Sequence, residues 1–191
     1  DLQVPRCAYT VNEALCPRPF FTPGCNTSAG RLLRYYKCVK NTDVRLASQT
    51  ILATEWNPDW RMVASPGHSD TGKAICKSHK PVHGFAAMSG GNPADPFDVS
   101  LTGPSLIGLP ALRRLRPFDL SPNPTPPGLA CPRLDWVGRN HGPRTGTPDK
   151  RKSNFLYADG HVETKSIHDT LAPFEWGEKF HSLVPGDDIV R

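Results

Sequence analysis

No apolar run in this chain approaches the roughly 20 residues that a bilayer-spanning helix needs, and no basic, apolar, small-residue export signal opens it. No Cys-x-x-Cys pair occurs, which argues against a thiol redox centre, a zinc ribbon or a c-type haem site. The Gly-x-Ser-x-Gly nucleophile elbow, the phosphate-binding loop and the dinucleotide glycine pattern are absent too, and with them goes the sequence signal for the commonest hydrolase and nucleotide chemistries. Apolar residues make up only 37% of the chain. One domain spanning 1–191 is the expectation, because this length supports one core and is short for two.

What the chain has instead is 21 prolines and 16 glycines, enough to interrupt most regular elements, so helix is expected below its usual share of about a third. The six cysteines, Cys7, Cys16, Cys25, Cys38, Cys76 and Cys131, are even in number and four of them crowd the first 38 residues. There they read as disulfides, since short apolar runs bury little surface and cross-links offset chain entropy by about 2 to 4 kcal/mol each. Loop closure favours Cys7 with Cys16 and Cys25 with Cys38, leaving Cys76 for Cys131, and disulfides place the protein outside a reducing cytosol. An exported protein needs an export segment, so the chain is expected to begin downstream of one.

The net charge of +5 is spread along the chain, with two clusters: Arg113, Arg114 and Arg116 around leucines, and Lys150, Arg151 and Lys152 before a strand. Both read as solvated turns, and a nucleic-acid partner is not expected. Asn26-Thr27-Ser28 has the form of a glycosylation sequon. From Asn57 to about Asp135 the chain is dominated by Pro, Gly, Ser and Asn, broken by one apolar island at Leu106 to Leu115. This long excursion reads as a path over the core or as an interaction surface. A short helix is expected around Ile167 to Leu171, followed by Trp176 and Phe180 for packing.

The clearest local signal is late. Asn154-Phe155-Leu156-Tyr157-Ala158 and His161-Val162-Glu163-Thr164-Lys165 flank Asp159-Gly160, which predicts a β-hairpin closed by a two-residue type I′ turn. Phe155, Tyr157 and Val162 would share its buried face. Tyr9, Val11 and Leu15 suggest a short strand leading into a turn. Ser48-Gln49-Thr50-Ile51-Leu52-Ala53-Thr54-Glu55 reads as a buried strand, with a helix as the alternative.

Asn154 to Glu163 resembles the C-terminal signature of bacterial prepilin-type proteins named for a histidine, nine residues and Asp-Gly. Cys7-Ala8-Tyr9-Thr10-Val11-Asn12 is similar to the Ser-Tyr-x-x-Asn strand of that family, and the Ser48 to Glu55 segment to its Ser-x-Thr-Ile-Leu strand, in the same order. His141 is the counterpart of the signature histidine, with Asp159 and Gly160 as its Asp-Gly, although seventeen residues and not nine separate His141 from Asp159. Gly142 to Lys152 therefore reads as a loop insertion. The resemblance covers about 50 of the 191 residues.

The resemblance implies an α+β head with a small antiparallel sheet and long, disulfide-pinned loops, like a type II secretion pseudopilin head whose N-terminal helix is not part of this chain. It further implies a secreted or cell-surface bacterial subunit that assembles with copies of itself or with other pilin-like subunits, has no catalytic turnover, and meets a membrane only through that helix. Candidate subunit surfaces are Leu106 to Leu115 and the Trp56/Trp60 loop. No cofactor is expected.

Two sets of metal-type donors compete with that expectation. Cys76, His79 and His83, with Met88 near, have zinc-type donors, and Asp187 and Asp188 after Pro185-Gly186 have calcium-type donors. A disulfide half beside two exposed histidines, and a solvated turn, explain the same residues more simply. His141, Asp159 and His161 invite a metal or catalytic reading across the hairpin, but the turn already accounts for Asp159 and Gly160, and a strand-end hydrogen bond for His161. The rivals to an assembly subunit are a minor pilin-like tip that binds DNA or a glycan and, further off, a metal-dependent hydrolase.

Overall fold

The computed structural model describes residues 8–16, 20–26, 32–35, 39–57, 64–65, 75–76, 82–87, 112–121, 133–143 and 150–178. Ten strands run through them: β1 (Tyr9–Val11), β2 (Phe20–Asn26), β3 (Leu32–Tyr35), β4 (Ile51–Glu55), β5 (Ala64–Ser65), β6 (Ile75–Cys76), β7 (Phe85–Ala87), β8 (Leu112–Arg114), β9 (Lys152–Tyr157) and β10 (Val162–Ser166). β1, β4, β9 and β10 form one antiparallel sheet in the order β1-β4-β9-β10, and β2/β3, β5/β6 and β7/β8 are separate two-stranded ribbons. The sheet thus unites the three segments that the sequence marked as strands. Helical structure among the described residues is confined to short 3-10 turns, and no helix among them is long and apolar enough to cross a membrane.

Register decides which side chains enter the core. Straight pairing of Val11 with Ala53, Ala53 with Leu156 and Leu156 with Val162 sends those four residues to one face. Thr10, Thr54, Ser153, Phe155 and Tyr157 go to the other face, which is buried. β9 obeys the two-residue period in full, whereas β4 does not: Ile51 pairs with Tyr157 and Ala53 with Leu156, so Leu52 is the extra residue of a bulge. The bulge lets both Ile51 and Thr54 face inward although they are three apart. Val162 is a correction, because it stands opposite Leu156, on the face away from Phe155 and Tyr157, and is 59% exposed.

Against the inner face packs a core of Ile51, Val82, Leu115, Leu134, Val137, Phe155, Tyr157, Ile167 and Trp176. Trp176 meets Phe155 edge-on with ring centroids 6.3 Å apart, and its indole N–H donates to Thr170 Oγ1 at 2.9 Å, so the one polar atom of the ring is satisfied. The described parts of the 57–135 excursion supply Val82, Phe85, Leu115, Leu120 and Leu134 to the buried set. Leu115 is therefore core and no subunit surface, and so is Trp56, which stacks on Trp136 at 6.1 Å. Residues 106–111 and Trp60 lie outside the described residues.

Asn12 ties three distant segments together. Its buried amide donates to Ile51 O at 2.7 Å and to Trp176 O at 3.2 Å, while its Oδ1 accepts from the Ala14 N–H at 3.0 Å. A second tie is the buried Asp135–Arg139 pair at 3.1 Å, whose carboxylate also accepts from the Ser121 N–H. Burial pushes the Asp135 carboxyl up against the pull of Ser121 and Arg139.

The hairpin is present, but its turn differs from the expected type I′. Gly160 N–H donates to Tyr157 O and Tyr157 N–H to His161 O, closing a three-residue loop in which Gly160 has φ +97° and Asp159 does not have positive φ. This is a type I turn followed by a glycine bulge. Asp159 explains the choice, since its carboxylate accepts from the His161 backbone N–H at 3.1 Å and holds the aspartate in an Asx-type conformation. The helix expected at Ile167 to Leu171 is a single tight turn with Thr170 N–H on Ile167 O and Leu171 N–H on His168 O, opened by a reciprocal Ser166–Asp169 cap. Pro173, two residues on, lacks the N–H that a further turn would use.

Candidate functional site

Past the end of β4 the chain 136–141 continues the sheet edge. Gly138 N–H donates to Glu55 O, and Trp56 pairs with Val137 in a single antiparallel bridge. Gly138 is required there, because a Cβ would stand 2.6 Å from Trp56 O. His141 then exchanges both backbone hydrogen bonds with Lys152, at 3.0 and 2.8 Å, in an isolated antiparallel bridge next to β9.

Being paired with Lys152, His141 shares the outer face with Asn154 and Glu55. His141 Nε2 lies 3.1 Å from Glu55 Oε1 and 3.0 Å from Oε2, and Asn154 Nδ2 is 3.0 Å from both His141 Nε2 and Glu55 Oε1. Glu55 Oε2 also accepts from Ser153 Oγ at 3.2 Å and from the Asn154 backbone N–H at 3.3 Å. The far end of the Asn154 amide meets Thr164 Oγ1 at 2.6 Å. Burial works to raise the Glu55 carboxyl, but the bonds from His141 and Asn154 outweigh it and hold it below its ordinary value. Ser153 is buried and its Oγ is committed to Glu55, so it offers no nucleophile to solvent.

At the other end of β9 stands a second histidine cluster. His161 Nδ1 is 2.6 Å from Asp159 Oδ1, its Nε2 is 3.5 Å from Glu163 Oε1, and its ring stacks on Tyr157 at 4.2 Å. Behind it, Tyr157 OH donates to Glu175 Oε2 at 2.6 Å, and Lys165 pairs with both Glu163 and Glu175. Burial first, then the Glu175 bond, pushes the Tyr157 hydroxyl far above its ordinary pKa.

His141 does not meet Asp159 and His161, because β9 separates them: five steps of about 3.3 Å each lead from Lys152 to Tyr157. The convergence across the hairpin is thereby corrected. What His141 meets instead is Glu55 and Asn154, which close the second marked strand and open the third. Those two positions were missed; the available signal was a charged residue ending an apolar strand and an amide beginning the hairpin.

His83 is wholly buried rather than exposed, accepting from the Phe85 N–H at Nδ1 and lying 3.9 Å from Glu13 Oε2 through Nε2. The Cys76 side chain, His79, Met88, Asp187 and Asp188 lie outside the described residues, as does the Asn26-Thr27-Ser28 sequon beyond Asn26. Among the described residues no group of three or more His, Cys, Asp and Glu is placed to hold a metal ion. Cys16 carries a free, exposed thiol, so the expected bridge to Cys7 is not made. The side chains of Cys7, Cys25, Cys38 and Cys131 lie outside the described residues.

The first basic cluster is partly neutralised. Arg113 grips Asp119 through two bonds of 2.7 Å, while Arg114 lies over the Phe174 ring at 5.0 Å and Arg116 over the Phe118 ring at 5.7 Å. Compared with protein-family models, curated proteins and solved structures, the chain matches none. Its functional reading accordingly rests on its own residues and geometry.

Proposed function

We propose that this chain is a structural subunit of an extracellular pilus-like or pseudopilus-like assembly, with a pilin-like head and no enzymatic turnover. The observation that carries the reading is the outer face of the four-stranded sheet. There Val11, Ala53, Leu156 and Val162 form one apolar row across all the strands, with Tyr9 65% exposed beside it. Exposed apolar surface gains free energy when it is covered by a partner. The convergence of the three segments that resemble prepilin-type strands into this one sheet adds to the reading.

Electron microscopy and sedimentation of native material test it. Filaments or oligomers are expected, and Val162→Glu should dissolve them while leaving the melting temperature of the monomer unchanged. Persistent monomers at every concentration would reject the reading.

A second reading, a tip module for a polyanion such as DNA or an acidic glycan, is favoured by Arg114 and Arg116 lying over aromatic rings, with Phe118 75% exposed. Binding that falls steeply with added salt would support it, whereas apolar association changes little.

A further inference from the structure

We propose that β10 is a docking edge for a second copy of this chain, two β10 strands pairing antiparallel about a two-fold axis at Thr164. β10 ends the strand order of the sheet, and among the described residues no strand lies beyond it. The ladder with β9 decides which of its backbone groups face outward. Tyr157 N–H donates to His161 O, whereas Lys152 turns both its backbone groups away from β10 onto His141. Antiparallel alternation between these two points directs the N–H and C=O of Glu163 and Lys165 at β9, and those of Val162, Thr164 and Ser166 outward. The outward N–H of Ser166 is taken by Asp169 Oδ2 at 3.1 Å. Val162 and Thr164 have no such cap among the described residues, and both are exposed. Such a row of unpaired groups is a template for another strand.

The charges along the edge select the partner. Charge ordinarily blunts an edge strand, but β10 reads Val162-Glu163-Thr164-Lys165-Ser166, with one charge of each sign placed symmetrically about Thr164. A two-fold axis there sets Glu163 of each copy opposite Lys165 of the other, and Thr164 opposite Thr164. Opposite charges and Thr–Thr pairs are both favourable across strands. Moving the axis by one residue sets Glu163 against Glu163 or Lys165 against Lys165. A parallel alignment in register makes both of those like-charge contacts. The edge is thus complementary to itself in one register and repels its copy in the neighbouring ones.

In that register Thr164 exchanges both backbone bonds with its copy, and each Val162 N–H meets the Ser166 carbonyl opposite, while the Asp169 cap on Ser166 ends the ladder. The Glu163 side chain is 46% exposed, which leaves it open to a second lysine. Lys165 is held on the same side of the strand by its pairs with Glu163 and Glu175. A two-fold axis normal to the sheet keeps both outer faces on one side, so the apolar rows that end at Val162 become parts of one broader face. The inference rests on the reading that copies of this chain assemble, and names a contact through which they do.

Residue-resolved amide hydrogen exchange of the full chain over a range of concentrations, alongside sedimentation velocity, tests the edge. As pairs form, the Val162 and Thr164 amides should slow by about tenfold or more, whereas the Glu163 and Lys165 amides, already bonded to β9, should be protected at every concentration. Glu163→Lys and Lys165→Glu should each weaken self-association by about tenfold, and an equimolar mixture of the two should associate again, since every charge then meets its opposite. Exchange in the parent chain decides the matter even if Lys165→Glu, which also loses its pair with Glu175, does not fold. Association that leaves the Val162 and Thr164 amides exchanging as they do in the monomer would overturn the edge and leave the assembly reading standing. Failure of the two folded variants to associate when mixed would do the same. A chain that stays monomeric at every concentration would overturn both.

Discussion

The two ends of β9 carry two histidine–carboxylate clusters of opposite origin. At the Asp159 end the partners are two residues apart, and one turn makes the contact. At the Asn154 end, His141 meets a carboxylate 86 residues earlier, brought there by sheet order, a bulge and a loop closure. The tip cluster is exposed and costs the fold little to lose. The His141 cluster exists only because the sheet is assembled. Long-range polar ties, then, carry the organisation of this chain, and local ones decorate it.

The sharpest way to break that contrast is Asn12→Ala. It removes donors from the buried Ile51 and Trp176 carbonyls, and a loss of about 3 kcal/mol is expected in urea denaturation. A cost no larger than that of a tip variant would end the distinction. Next, Glu55→Ala should cost about 2 kcal/mol in the same denaturation, because the Ser153 hydroxyl and the Asn154 groups lose their acceptor.

The Arg113–Asp119 clamp, six residues in span, sharpens the middle of the range. The bond from Arg113 outweighs burial and holds the Asp119 carboxyl below its ordinary value. Its contribution is therefore complete above the unfolded carboxyl range and is lost as pH falls through the folded value. Asp119→Asn should cost about 1 kcal/mol at neutral pH, and the difference from the parent should vanish in acid. Of comparable size, Gly160→Ala should cost about 1 to 2 kcal/mol, from backbone strain at positive φ alone, since nothing stands within 4 Å of the added Cβ. His161→Ala should leave the denaturation midpoint where it is.

The hairpin, the three sheet segments and the scarcity of helix were legible because each depends on neighbours within a few residues: Asp-Gly in a turn, alternation along β9, prolines that stop helices. The turn type was misread because the bond from Asp159 to the His161 N–H competes with positive φ at Asp159. The face of Val162 was misread for a different reason, since a three-residue turn shifts which side of β10 faces in. The fate of His83 was hidden because nothing nearby in sequence marks Glu13 as its companion. Glu55 and Asn154 looked like strand ends until register set them side by side.

Residue order alone determined where strands begin and stop and that a tight bend joins β9 to β10, because backbone preference and turn chemistry act over a few bonds. Only the tertiary structure decided that Asn12 would bridge β4 and the C-terminal segment, that the excursion would fill the core, and that His141, Glu55 and Asn154 would meet. Those contacts depend on chain closure over tens of residues and on a register that a single bulged residue in β4 resets.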